Sequence, residues 1–136
     1  MATLPGPGFD FSSLEVLVVD DNQKMLRLLR TILTALGVKE VRTSSSAEDA
    51  FDLTRSYKVD LIICDRNMTP VDGLTFVRMV RTSSESSNPK VPIIMLTGFA
   101  EKQLVLEAQE AGADAFLTKP VSAKALSDRM QALING

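Results

Sequence analysis

The side chains best suited to chemistry are acids placed at the ends of apolar runs. Asp20 and Asp21 directly follow Val16, Leu17, Val18 and Val19, and Asp65 directly follows Leu61, Ile62, Ile63 and Cys64. Short runs this apolar, rich in β-branched residues, read as strands buried on both faces of a sheet. Acids at the carboxyl ends of such strands can converge, because open parallel sheets bind ligands there. Like charges held together need a cation, and an all-oxygen ligand set points to a hard one such as Mg²⁺. Two more polar residues hold comparable places: Thr97 follows the run 93–96, and Lys119 precedes Pro120. The proline biases Lys119 toward extended backbone and raises the chance of a cis bond that aims its ammonium inward. Neighbouring side chains of a strand point to opposite faces, so Asp20 and Asp21 share a site only where their strand has ended.

These residues need a scaffold, and the rest of the chain supplies its pattern. Residues 1–13 hold two Pro-Gly pairs and no apolar periodicity, which predicts an irregular lead-in before a folded domain over 14–136. Met25, Leu28, Leu29, Ile32 and Leu36 recur at helical spacing, and Gly37 supplies a stop. A strand over 38–43 follows, then Ser45 and Glu48 in capping-box relation ahead of Ala47, Ala50, Phe51 and Thr54. The next strand spans 59–65, and the turn at 69–73 leads into a helix carrying Leu74, Val77, Val80 and Arg81. A polar loop over 82–90 precedes a strand at 91–96 and a helix at 101–111, which Gly112 stops and whose Leu104, Ala108 and Ala111 face the core. A strand at 115–118 and an amphipathic helix at 122–133 complete the series. Five strands alternating with five helices imply right-handed βαβ units and a parallel sheet covered on both faces, an α/β fold.

The composition fits one such domain: 136 residues, 45% of them hydrophobic and 24% charged, bury a core without disulfides. A net charge of -2, with no Lys or Arg before Lys24, argues against a nucleic-acid surface and a basic export signal. The apolar runs fall far short of the roughly 20 residues that span a bilayer, so a soluble, cytoplasmic protein without a membrane partner is expected. Cys64 is the single cysteine and reads as a small buried hydrophobe.

Taken singly, each acid reads as a turn or helix-cap residue. Taken together, Val18-Val19-Asp20-Asp21, Ile63-Cys64-Asp65, Met95-Leu96-Thr97-Gly98 and Leu117-Thr118-Lys119-Pro120 resemble the receiver domain of two-component response regulators, the CheY-like family. The resemblance covers about 14–134 and implies a flavodoxin-like, doubly wound sheet of strand order 2-1-3-4-5. It implies Asp65 as phosphoacceptor, and Asp20, Asp21, Asp65 and the backbone carbonyl of Asn67 as ligands of Mg²⁺. It also implies Thr97 and Lys119 as contacts of the phosphoryl oxygens, Phe116 as the aromatic switch residue, and Pro120 as a cis proline. The chemistry is coherent in itself. A carboxylate nucleophile approaching an anionic phosphoryl group needs charge compensation, which a divalent ion and Lys119 supply, while Gly98 leaves room for the donor. Two departures stand out: Thr69 occupies the place after Met68 where the family usually carries proline, with Pro70 one later, and a bulky Phe99 lies two residues past Thr97.

The resemblance implies a histidine kinase or phosphotransfer protein as phosphodonor. It implies a protein target reached through the fourth helix, fifth strand and fifth helix, at about 101–111, 115–118 and 123–133. With nothing appended after Gly136, output is expected through protein binding or onward phosphotransfer, unless the chain is one domain of a larger signalling protein. The competing readings are an unphosphorylated receiver-like adaptor and an enzyme on a similar sheet. A haloacid-dehalogenase-like phosphatase would want an acid two residues past its nucleophile, where Asn67 stands, and no glycine-rich loop suggests a nucleotide or flavin.

Overall fold

A computed structural model describes residues 10–98 and 101–135. The elements run β1 (Glu15–Val19), α1 (Gln23–Ala35), β2 (Glu40–Ser44), α2 (Ala47–Ser56), β3 (Leu61–Asp65), α3 (Gly73–Thr82), β4 (Ile93–Thr97), α4 (Lys102–Ala111), β5 (Ala115–Thr118) and α5 (Ala123–Asn135). The strands form one parallel sheet in the order β2-β1-β3-β4-β5, as the resemblance implied. No helix among the described residues is long and apolar enough to cross a membrane.

Alternation along the strands divides the core in two. Leu17, Val19, Ile62, Cys64, Ile93 and Met95 face α2, α3 and α4, whereas Val16, Val18, Leu61, Ile63, Ile94 and Leu96 face α1 and α5. The period of two places Asp20 in step with Val18, and Asp65 in step with Ile63, on the α1 and α5 side. Phe11, 1% exposed, packs into that same half, so the irregular stretch just before β1 gives the core this side chain while Ser12 and Ser13 stay exposed.

Packing decided details that spacing left open. In α1 the buried set is Leu26, Leu29 and Leu33, while Leu28 is 43% exposed: apolar residues cover a wider arc than the sheet can contact. The cap of α2 is Ser46, not Ser45, and its Oγ accepts from the Asp49 amide. The Ser44 hydroxyl, at the end of β2, bonds Asp49 Oδ2 and the Ser46 carbonyl, which moves the turn one residue along. Asp72 caps α3 through the Thr75 amide, and Gly112 ends α4 at φ +112°, a left-handed conformation that suits glycine. Below the sheet, Arg81 donates to the carbonyls of Gly112 and Val91 and pairs with Asp114, which also accepts from the Ile93 amide. That clamp ties α3 to the starts of β4 and β5.

Candidate functional site

The β1 ladder ends at Val19, paired with Cys64, so Asp20 leaves the sheet beside Asp65 and Asp21 is free of strand alternation. One carboxylate oxygen from each of Asp20, Asp21 and Asp65 falls within 4.8 Å of the others. Asp20 and Asp65 are buried, at 1% and 3% exposure, and Asp21 is exposed. Asp20 Oδ1 accepts from the amide of Asn22, the residue whose side chain caps α1 through the amides of Lys24 and Met25. The acids therefore stand at a helix start, where negative charge is favoured.

Lys119 is delivered from the end of β5, its main-chain N–H donating a hydrogen bond to the Thr97 carbonyl oxygen and its link to Pro120 cis. Its Nζ lies 2.7 Å from Asp65 Oδ1 and 3.7 Å from Asp20 Oδ2. Those two oxygens make ion-pair contacts with Lys119 but no well-aligned hydrogen bond. One ammonium against three carboxylates leaves negative charge in excess, and the donors are all hard oxygens. The residues fit a divalent cation of the Mg²⁺ type.

The same imbalance sets the protonation. Burial pushes the Asp20 carboxyl above its ordinary value, with the Asp65 and Asp21 charges adding to it, against opposition from the Asn22 amide and Lys119. Burial pulls Lys119 down, but the Asp65 carboxylate and then Asp20 outweigh it, so the ammonium stays charged. A carboxyl raised on folding holds a proton that the unfolded chain has released. Stability is thus lost as pH rises from the ordinary Asp value of 3.8 toward the raised one. Without divalent cations, Asp20→Asn is expected to melt above wild type at neutral pH, with the gap closing below pH 3.8; melting curves across the acid range check this.

The remaining predicted residues are spread around this centre. Thr97 is the last residue of β4 and buried, and Asn67 is exposed in the loop after β3. Phe116 pairs with Met95 and is half-buried against the core half under α4. It lines a small cavity of about 30 Å³ with Ala108, Gln109, Ala113, Asp114 and Ala115. Phe99 lies outside the described residues. Three contacts had no reading from the sequence. The Gly73 amide donates to the Arg66 carbonyl, and a Cβ there would strike the Asp65 carbonyl oxygen and come within 2.9 Å of Arg66 Cα. Arg66 pairs with Glu107 of α4, 41 positions away, a separation no local pattern encodes. The Thr69 amide donates to Asp21 Oδ2 across 48 positions; the missing proline was the signal that a donor stands there.

Over residues 16–131 the chain matches the family described as the response regulator receiver domain. The chain belongs to that family. This receiver is 34% identical over 119 residues to a chemotaxis protein CheY homolog of Campylobacter jejuni, covering 87% of this chain and 90% of the relative. Its fold is similar to that of the Vibrio cholerae chemotaxis protein CheY4, with a TM-score of 0.82, 30% identity and coverage of 90% and 99% of the two chains. A putative response regulator from Chloroflexus aurantiacus superposes at a TM-score of 0.83 with 29% identity, over 91% and 99%. A receiver is a signalling domain rather than a classical enzyme, and its acidic cluster is where the family binds Mg²⁺.

Proposed function

We propose that this receiver accepts a phosphoryl group on Asp65 from a histidine kinase or phosphotransfer protein in a Mg²⁺-dependent, cytoplasmic reaction. The observation that carries the reading is the convergence of Asp20, Asp21 and Asp65 around a buried carboxylate that Lys119 already contacts. An Asp65 oxygen forms the new bond to phosphorus while the donor's bond to phosphorus breaks, its electron pair leaving with the donor. Lys119 offsets charge on the acceptor and stands ready for a phosphoryl oxygen, and the Thr97 hydroxyl would contact another. Asp20, Asp21, Asp65 and the Asn67 carbonyl would hold the cation. When bound, the cation supplies charge neutralisation for two anions brought together.

Intact mass of the chain after incubation with Mg²⁺ and a small acyl phosphate tests the reading. One added phosphoryl group, with none incorporated when the metal is chelated beforehand, supports it. An unmodified chain under both conditions would favour a receiver-like adaptor instead.

Output would run through α4, β5 and α5, where phosphate on Asp65 draws Thr97 toward it and Phe116 turns further inward, biasing a two-state face. Phe116 has no hydroxyl, so its inward state rests on apolar burial. Phe116→Ala is therefore expected to incorporate phosphate as wild type does yet lose the amide-exchange change on this face. A response confined to another face would remove the proposed route.

A further inference from the structure

We propose that Thr69 is a positioning residue of the acidic site: its main-chain N–H holds the Asp21 carboxylate in the orientation that a divalent cation requires. The inference rests on the cation binding proposed above and names a further contact at that site. Asp20 and Asp65 are buried and fixed by their surroundings, whereas the Asp21 side chain is exposed. Among the described residues, the hydrogen bond that orients it comes from the Thr69 amide, 3.2 Å from Oδ2. An N–H donating to a carboxylate is charge-assisted, and it occupies one oxygen while leaving Oδ1 for a metal. Outer partners of this kind restrict a ligand to its binding orientation before the metal arrives, and losing them weakens metal binding.

The donor depends on the residue type at position 69. Proline, which the family usually carries there, has no N–H to give. Here Thr69 provides one and Pro70 follows it. The bond also joins two loops that the cation must bridge, the one after β1 and the one after β3 that contains Asn67. Asp21 is thereby tethered to the loop that contains Asn67, across 48 positions of sequence.

Backbone NMR of the full chain during a Mg²⁺ titration tests this without any phosphodonor. Thr69→Ala keeps the N–H and is expected to bind as wild type does; Thr69→Pro removes it and is expected to bind about ten-fold more weakly, the lower end for an outer partner. Equal affinity for wild type and Thr69→Pro overturns the proposal, as does equal weakening by Thr69→Ala, which would assign the effect to the side chain. If wild type shows no Mg²⁺ response, the cation reading itself fails and takes this one with it. Should Thr69→Pro not fold, the metal-free Asp21→Ala protein decides. The Thr69 amide signal is expected to move and its exchange to quicken, and an unmoved signal overturns the tether.

Discussion

An Asp65→Asn protein is expected to fold as the parent does and to take up no phosphoryl group. The substitution keeps the side chain's shape at a site 3% exposed, so the surrounding packing has no cavity to absorb. What it removes is the nucleophile, since an amide oxygen does not form the acyl phosphate. The Asp20 and Asp21 carboxylates remain beside it, so the same experiment asks whether a neighbouring acid can substitute. Burial and assignment oppose that: Asp20 is 1% exposed, with Oδ1 engaged by the Asn22 amide and Oδ2 facing Lys119, and the more open Asp21 is taken up in holding the cation. Incorporation is therefore expected to fall below detection by intact mass. Uptake equal to wild type would move the acceptor elsewhere.

The second large effect is expected at Gly73, which lies outside the acidic cluster. The first residue of α3 packs so close to the end of β3 that an added Cβ overlaps the Asp65 carbonyl oxygen and crowds Arg66 Cα at 2.9 Å. The obstacle is backbone, which cannot rotate aside as a side chain does. Gly73→Ala is expected to destabilise the fold by about 2 kcal/mol, overpacking of roughly 1–3 kcal/mol being only partly offset by alanine's better helix propensity. Relief requires moving the peptide after Asp65, so slower phosphoryl uptake should accompany the lower stability. Gly98 is the control: a Cβ there meets nothing within 4 Å, and Gly98→Ala should leave stability within about 0.5 kcal/mol of wild type. Denaturant unfolding of both variants checks the contrast; equal losses would show that the approach at Gly73 is not what limits it.

Strand ends and their acids were legible because period and position carry the information locally. An apolar run that stops on Asp65 announces both the strand and the place its carboxylate occupies. The sheet order came from resemblance, since alternation of strands and helices fixes parallel pairing but not which strands are neighbours. Helical spacing picked out the first helix but not its buried side, because its apolar residues span more arc than one face, and only contact with the sheet selects Leu26, Leu29 and Leu33. The capping-box pattern pointed to Ser45, but the cap falls on Ser46, because the Ser44 hydroxyl bonds Asp49 and shifts the turn by one residue. Contacts such as Arg66 with Glu107 and Thr69 with Asp21 join distant segments and exist only once the sheet has set their register.

The central assignment is the site of phosphoryl attachment. Borohydride trapping of the phosphorylated wild-type chain, which reduces an acyl phosphate and marks its carboxyl carbon, followed by peptide mapping, reads that site directly. The mark is expected on Asp65, only in samples that contained Mg²⁺. A mark on Asp20, Asp21 or any other residue, or one on Asp65 that forms equally well without a divalent cation, would contradict it.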